Sequence, residues 1–307
     1  MKLKKTLLAA SLAAMSMAAF AQSNDASKDE VESAPSTDWA ATANVMLASS
    51  YRFRGIDQTF NQPAIQGGFD ISMPYGFYVG NWNSNVNGTA AGLGGGNIEM
   101  DVYGGWKYAF NEDWGLDTGL INYFYPGSRM GAVDSSFETT GNTAAAGFKS
   151  GNVYNLEYYI GANWKTVSLK QYVALTDYFN AKGVNNASTS GSGYTDISAT
   201  YDLGGLNDSL AGWGLIGHAG YFYMANYSQA NYADWKVGIS KDIGAGWVAT
   251  ASYIQASTNG SCSPGSVQFY CQSKYGTFNS AADGGNPIGT SQNGGHATAV
   301  VTIGRTF

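Results

Sequence analysis

Apolar and polar residues alternate along almost the whole chain beyond Trp39. In the segment 97–110, NIEMDVYGGWKYAF, one face takes Ile98, Met100, Val102, Gly104, Trp106, Tyr108 and Phe110, and the other takes Glu99, Asp101, Tyr103, Gly105 and Lys107. A period of two belongs to a β-strand whose faces meet different surroundings. Twelve segments carry it, near residues 41–54, 63–73, 77–85, 97–110, 114–125, 152–164, 167–179, 194–203, 213–224, 232–242, 247–256 and 296–307. Most run 9 to 14 residues. A tilted strand crossing a bilayer needs about 9–11 residues, whereas strands of soluble proteins average about 5–6.

The connections alternate in length. Short ones fall at 74–76, 111–113, 165–166, 204–212 and 243–246. Long ones, rich in Gly, Ser, Asn and Thr, fall at 55–62, 86–96, 126–151, 180–193, 225–231 and 257–295. Short turns on one rim, long loops on the other and an even strand number describe an all-β fold, a transmembrane antiparallel up-and-down β-barrel of about twelve strands. A chain in lipid must satisfy its backbone hydrogen bonds in such a closed sheet. Glu99, Asp101 and Lys107 then face the lumen, because a lysine on the lipid face near the midplane costs roughly 2–4 kcal/mol. The same split sets Val45, Leu47, Tyr51 and Phe53 on the lipid side against Asn44, Ser50, Arg52 and Arg54. Tyr75, Phe77, Phe110, Trp114, Trp164, Trp213 and Trp247 gather beside the short turns, where an interfacial girdle belongs. The last strand, HATAVVTIGRTF, stops on Phe307, the aromatic end that barrel assembly machinery reads. Arg305 interrupts its apolar face at a place where the stem can lie along lipid while the guanidinium reaches water.

The N-terminus refines the compartment. Lys2, Lys4 and Lys5, a short apolar core at 7–18 and the small-x-small run Ala19-Phe20-Ala21 predict a signal peptide over residues 1–21. Residues 22–38 are polar and aperiodic, which predicts a flexible periplasmic linker, and 39–307 form one barrel domain in the bacterial outer membrane. Without residues 1–21 the chain holds 13 Lys and Arg against 22 Asp and Glu, a formal charge of −9 that argues against nucleic acid as a partner. No later run of 18 apolar residues exists, so no transmembrane helix is expected. The 41 Gly, 21 Tyr, 14 Phe and 8 Trp against 6 Pro suit close strand packing and aromatic girdles.

In an exported chain Cys262 and Cys271 are expected to form a disulfide across the loop 257–295. No metal-ligand spacing accompanies them, and no cofactor is implied: GLGGG at 92–96 has no helix following it. His218 and His296 are the two histidines, and no nucleophile elbow is present. A phospholipase in this membrane needs Ser and His on the lipid face, while His218 falls on the inner one. The chain therefore reads as a non-enzyme.

Four stretches, SSYRFRGIDQT (49–59), PAIQGGFDIS (63–72), GFYVGNWNSNV (76–86) and EMDVYGGW (99–106), resemble the TorF-like porins of proteobacteria. That resemblance implies an outer-membrane, porin-like barrel over nearly all of 39–307, without an established substrate.

The candidate pore-lining residues are Arg52, Arg54, Asp70, Glu99, Asp101, Lys107, Glu157, Lys170, Asp196, Asp234 and Lys236. With Asp117 and Asp202 added, the inner wall holds five positive against eight negative side chains. A wall with excess carboxylates favours cations. The other reading is that these charges pair across strands and hold the barrel together. Arg52 and Arg54 read either as a basic patch at the pore or as a salt-bridged hairpin with Asp70 on the next strand. Glycines and serines on the inner face favour open space, and Tyr103, Tyr123, Tyr125 and Phe222 narrow it. Eight-strand barrels are filled by side chains and those of 16–18 strands hold channels, so about twelve falls between. Two functions follow. One is a porin-like channel for passive passage of ions or small polar solutes. The other is a non-conducting barrel whose external loops bind a partner.

Overall fold

A computed structural model describes residues 38–130, 147–259, 262, 269–273 and 291–307. The expected signal peptide, and the linker up to residue 37, lie outside them. Twelve strands among the described residues close into one barrel. They are β1 (Ala40–Ala48), β2 (Ala64–Ser72), β3 (Phe77–Asn85), β4 (Ile98–Ala109), β5 (Trp114–Phe124), β6 (Tyr154–Trp164), β7 (Val167–Ala174), β8 (Gly193–Asp202), β9 (Trp213–Tyr223), β10 (Tyr232–Gly244), β11 (Trp247–Ser257) and β12 (Thr298–Thr306). Each pairs antiparallel with its sequence neighbours, and β1 closes on β12 from Asn44–Thr306 to Ala48–Thr302. All twelve correspond to alternating segments of the sequence.

The two faces differ as the alternation requires. On β6 the outward Tyr154, Tyr158, Ile160 and Trp164 are exposed, and Asn155, Glu157 and Tyr159 between them are buried. Ile197 on β8 and Val237 on β10 point outward likewise, exposed by 48% and 53%, so a greasy belt surrounds the wall. The outer face of β3 departs from this with Asn81, Asn83 and Asn85, whose amides donate to the Asp101 carbonyl, Asn81 Oδ1 and the Pro63 carbonyl. At the short-turn rim Trp106 stacks on Tyr108 at 5.4 Å, and Trp114 meets Trp164 at 6.1 Å. Arg305 lies over Phe307 and Trp247, with ring centroids 4.6 and 5.7 Å away, which shelters its charge at that rim.

Two strands end earlier than the alternation predicts. The seventh, expected to reach 179, stops at Ala174. The first, expected to reach 54, stops at Ala48, and the chain then turns into the barrel. Tyr51 and Phe53, expected on the lipid face, are therefore inside: Tyr51 is 4% exposed, and Phe53 packs against the buried cluster. A small hairpin forms within the lumen, pairing Arg52 with Asp57 and Phe53 with Ile56. Arg54 (φ 50°) and Gly55 (φ 78°) occupy its two central positions, the left-handed pair of a type I′ turn.

Gly55 closes this turn against the wall. A Cβ there would lie 2.7 Å from Asp234 Cβ and 3.0 Å from Ala256 Cβ. Gly55→Val thus meets both a left-handed backbone costing roughly 1–2 kcal/mol and a collision with β10. The expected result is a closed barrel with a displaced hairpin. Trypsin added to the folded protein then cuts after Arg52 or Arg54 about tenfold faster than in the parent. Equal protection would show that the hairpin seats without this glycine.

Candidate functional site

The site is the lumen, and the hairpin is its central element. Arg54 is fully buried and forks onto Glu157, with Nη1 donating to Oε1 at 2.9 Å and Nη2 to Oε2 at 2.6 Å. Glu157 lies on β6, five strands round a twelve-strand barrel from β1, so this ion pair bridges nearly opposite walls. Phe53, Tyr172 and Tyr194 surround the guanidinium with ring centroids 4.8, 4.9 and 4.5 Å away. A bidentate, ring-flanked arginine is held by direction as well as charge.

The rest of the hairpin is tied to the neighbouring loops. Arg52 lies 3.6 Å from Asp57 and donates to the Gly294 carbonyl at 3.0 Å and to Asn61 Oδ1 at 2.6 Å. His296 Nε2 accepts from Arg52 Nη2 at 3.0 Å. The Asp57 carboxylate accepts from the backbone N–H of Thr59 and Asn61 and from Gln292 Nε2. Tyr51 donates to Glu99 at 2.6 Å. The expected ion pair of these arginines with Asp70 is not formed. Asp70 instead accepts from Tyr103, because the hairpin carries both arginines away from the face that β2 lines.

Below the hairpin, toward the short turns, the inner wall is a network of tyrosines and charges. Lys170 Nζ meets Asp117 at 2.8 Å, and Tyr78 donates to the same carboxylate at 2.6 Å while its hydroxyl touches that of Tyr159. Lys107, exposed near the short-turn rim, lies over the Tyr78 ring at 5.0 Å. Lys236 is buried on the inner face of β10. Inner glycines do not simply open space, as the sequence suggests. A Cβ on Gly105 would lie 2.7 Å from the Tyr78 hydroxyl, and one on Gly119 would lie 2.5 Å from that of Tyr159. Small residues on one strand give room to tyrosines from another.

His218 sits between two carboxylates, with Nδ1 3.1 Å from Asp196 and Nε2 2.9 Å from Asp234. Ser198 Oγ is 3.0 Å from Nδ1, which gives the three residue types of a nucleophilic triad. The serine proton, however, goes to Asp196 Oδ1 at 2.7 Å, and each ring nitrogen faces a carboxylate. The cluster braces β8, β9 and β10 against one another.

The pairing leaves an imbalance. Arg52, Arg54, Lys170 and His218 have acidic partners. Asp70, Glu99 and Asp101 have no cation at ion-pair distance among the described residues. Glu99 accepts from Tyr51 and Tyr125, whereas Asp70 Oδ2 and Asp101 Oδ1 have no hydrogen-bond partner in the protein.

Cys262 and Cys271 are joined as a disulfide beside the short ladder Cys271–Ser273 with Ser291–Asn293. Parts of the two longest loops, residues 131–146, 260–261, 263–268 and 274–290, lie outside the described residues. The inward hairpin is the element that sequence reasoning missed. Its signal was the run Arg52-Phe53-Arg54-Gly55-Ile56-Asp57, in which opposite charges flank a two-residue turn.

Residues 32–278 match a family described as a bacterial protein of unknown function, Gcw_chp. No curated protein matches the chain. Among solved structures, a NanC porin is similar with 8% identity, a TM-score of 0.44 and coverage of 87% of this chain and 99% of that one. A KdgM porin gives 9%, 0.41, 87% and 99%. A FadL homologue of Pseudomonas aeruginosa gives 12%, 0.39, 88% and 90%.

Proposed function

Since the chain belongs to the Gcw_chp family of bacterial proteins of unknown function, its role must be read from its own residues, and we propose that it is a porin-like channel of the bacterial outer membrane. Its passage serves ions or small polar solutes, and the inward hairpin 51–60 constricts it. The observation that carries this reading is the inner wall. Asp70 and Asp101 are 9% and 2% exposed, yet each keeps a carboxylate oxygen without a protein partner. With Glu99, Asp117, Glu157 and Asp234 they turn inward behind an outer belt of exposed apolar side chains, the polar-inside arrangement of an outer-membrane barrel. The resemblance of 49–59, 63–72, 76–86 and 99–106 to the TorF-like porins agrees with this reading.

In the membrane the short turns face the periplasm and the long loops face outward, which sets both chain ends on the periplasmic side. Lipid meets the outer belt, and Phe307 at the end of β12 is offered to the assembly machinery. The excess of carboxylates over cations along the inner wall makes the passage mildly cation-preferring.

Planar-bilayer recording of the refolded chain tests this. Small unitary steps are expected, with a reversal potential in a salt gradient on the cation side. Silence from correctly folded protein would favour the second function, a closed barrel that binds a partner through its outer loops, and anion preference would overturn the assignment of the surplus carboxylates.

A further inference from the structure

A recess of roughly 760 Å³, counted with its open mouth, lies at the long-loop end of the barrel above the hairpin. Phe53, Tyr125, Phe148, Phe179, Phe269 and Tyr270 line it, with Leu93 and Ile56 between them. Among the described residues none that lines it is charged, although Arg54 and Glu157 lie in the layer beneath. The polar groups of its described lining are the amides of Gln58 and Gln272 and the phenol hydroxyls, which hydrogen-bond without charge.

The rings present both faces and edges. Phe179 meets Phe53 at 5.9 Å and 83°, and Tyr125 at 5.9 Å and 62°. Phe269 meets Phe148 at 6.1 Å and 23°, and Tyr270 at 5.0 Å and 76°. Phe179 is held with φ 46° and ψ 45°, a left-handed conformation that is rare and costly for a bulky residue. Its neighbours fix that geometry. The Tyr178 N–H donates to Thr189 Oγ1 at 2.8 Å, and Asn180 Nδ2 donates to the Asn152 carbonyl at 2.9 Å. Asp177 at the base of the same loop is braced as well. Burial raises its carboxyl, but Lys182, Ser188 and the Thr189 N–H outweigh burial and hold it below the usual range. A strained phenylalanine at the wall of an open, uncharged, ring-lined recess is a feature of a binding site rather than of a packed core.

We infer that this recess binds an uncharged small molecule through a flat aromatic ring. Such a ring completes the edge-and-face contacts that Phe179 and Phe269 leave open to solvent, while the absence of charge among the described lining residues gives nothing to an ionic solute. The inference goes beyond channel function, since binding at the mouth does not require the lumen to conduct.

The test compares phenyl β-glucoside with methyl β-glucoside on the full chain in lipid nanodiscs, read by saturation-transfer NMR. The phenyl compound is expected to bind saturably, with transfer strongest at its ring protons, and the methyl compound is not. Phe269→Leu keeps apolar volume but removes a ring, and it weakens phenyl binding about 3- to 10-fold. Phe179→Leu does the same, and Ala91→Arg, which places a charge in the lining, weakens it at least as much. Each variant is first checked for the compact, heat-modifiable gel mobility of a folded barrel. Equal binding of the two glycosides, no saturable binding to the folded parent, or unchanged affinity in all three variants would overturn the inference.

Discussion

Glu157→Gln opens the lumen. Arg54 is fully buried and forks onto Glu157 with two bonds of 2.9 and 2.6 Å. Removing one partner of such a pair costs about 3–5 kcal/mol, because the other charge is left buried and uncompensated. The barrel wall does not depend on this pair: its twelve strands are held by backbone ladders all the way round. The relief is therefore local, and the hairpin swings out with Arg54. A loss of about 3 kcal/mol from the seated state shifts the ratio of open to closed by roughly a hundredfold. In bilayer recordings the parent should show small, mostly closed steps, and the variant larger and longer openings. The double variant Arg54→Met with Glu157→Leu should close again, since no charge is stranded and apolar side chains fill the same space among Phe53, Tyr172 and Tyr194. Unchanged conductance in folded Glu157→Gln protein would show that the hairpin is not the constriction.

Ile197→Lys destabilises the barrel in lipid by roughly 2–4 kcal/mol. Ile197 is exposed on the middle of β8, flanked across the strands by Leu169 and Ala219, so a lysine there meets acyl chains. Ile243→Lys makes the same chemical change on the outer face of β10 but beside the short turn, where the cost falls to about 0–1 kcal/mol. Guanidinium unfolding in phospholipid vesicles measures both. The difference between the two variants matters more than either value. In water, both isoleucines are merely exposed apolar residues, and each change would be nearly neutral or favourable. Equal and small effects would therefore show that this outer face does not meet a bilayer.

The parity of each side chain was legible in the sequence because it is a local property. Along a strand successive residues point to opposite faces, so Glu99, Asp101, Glu157, Asp196 and Asp234 could be set on one side and Ile98, Val102, Tyr158 and Ile197 on the other. The number of strands and the division into short turns and long loops followed from the same period and its interruptions. The segment 49–57 shows where that reasoning stops. Tyr51 and Phe53 continue the alternation of Val45 and Leu47 without a break, yet they pack on the inside. Period two identifies a strand but not the sheet it joins, and an aromatic residue suits lipid and an aromatic cluster equally.

Partners were beyond the sequence for a related reason. Arg54 and Glu157 are 103 positions apart, and no local rule connects them; the closure of twelve strands puts them on facing walls. The same closure sent Lys170 to Asp117 and wedged His218 between Asp196 and Asp234. It also let tyrosines occupy the space beside Gly105 and Gly119. The sequence by itself therefore determined the barrel and the side to which the residues of its twelve wall strands point, because those depend on neighbours two positions away. Only the tertiary structure decided which charges meet, what fills the lumen and which loop turns inward, because those depend on distances across a closed ring that the chain completes only when β12 pairs with β1.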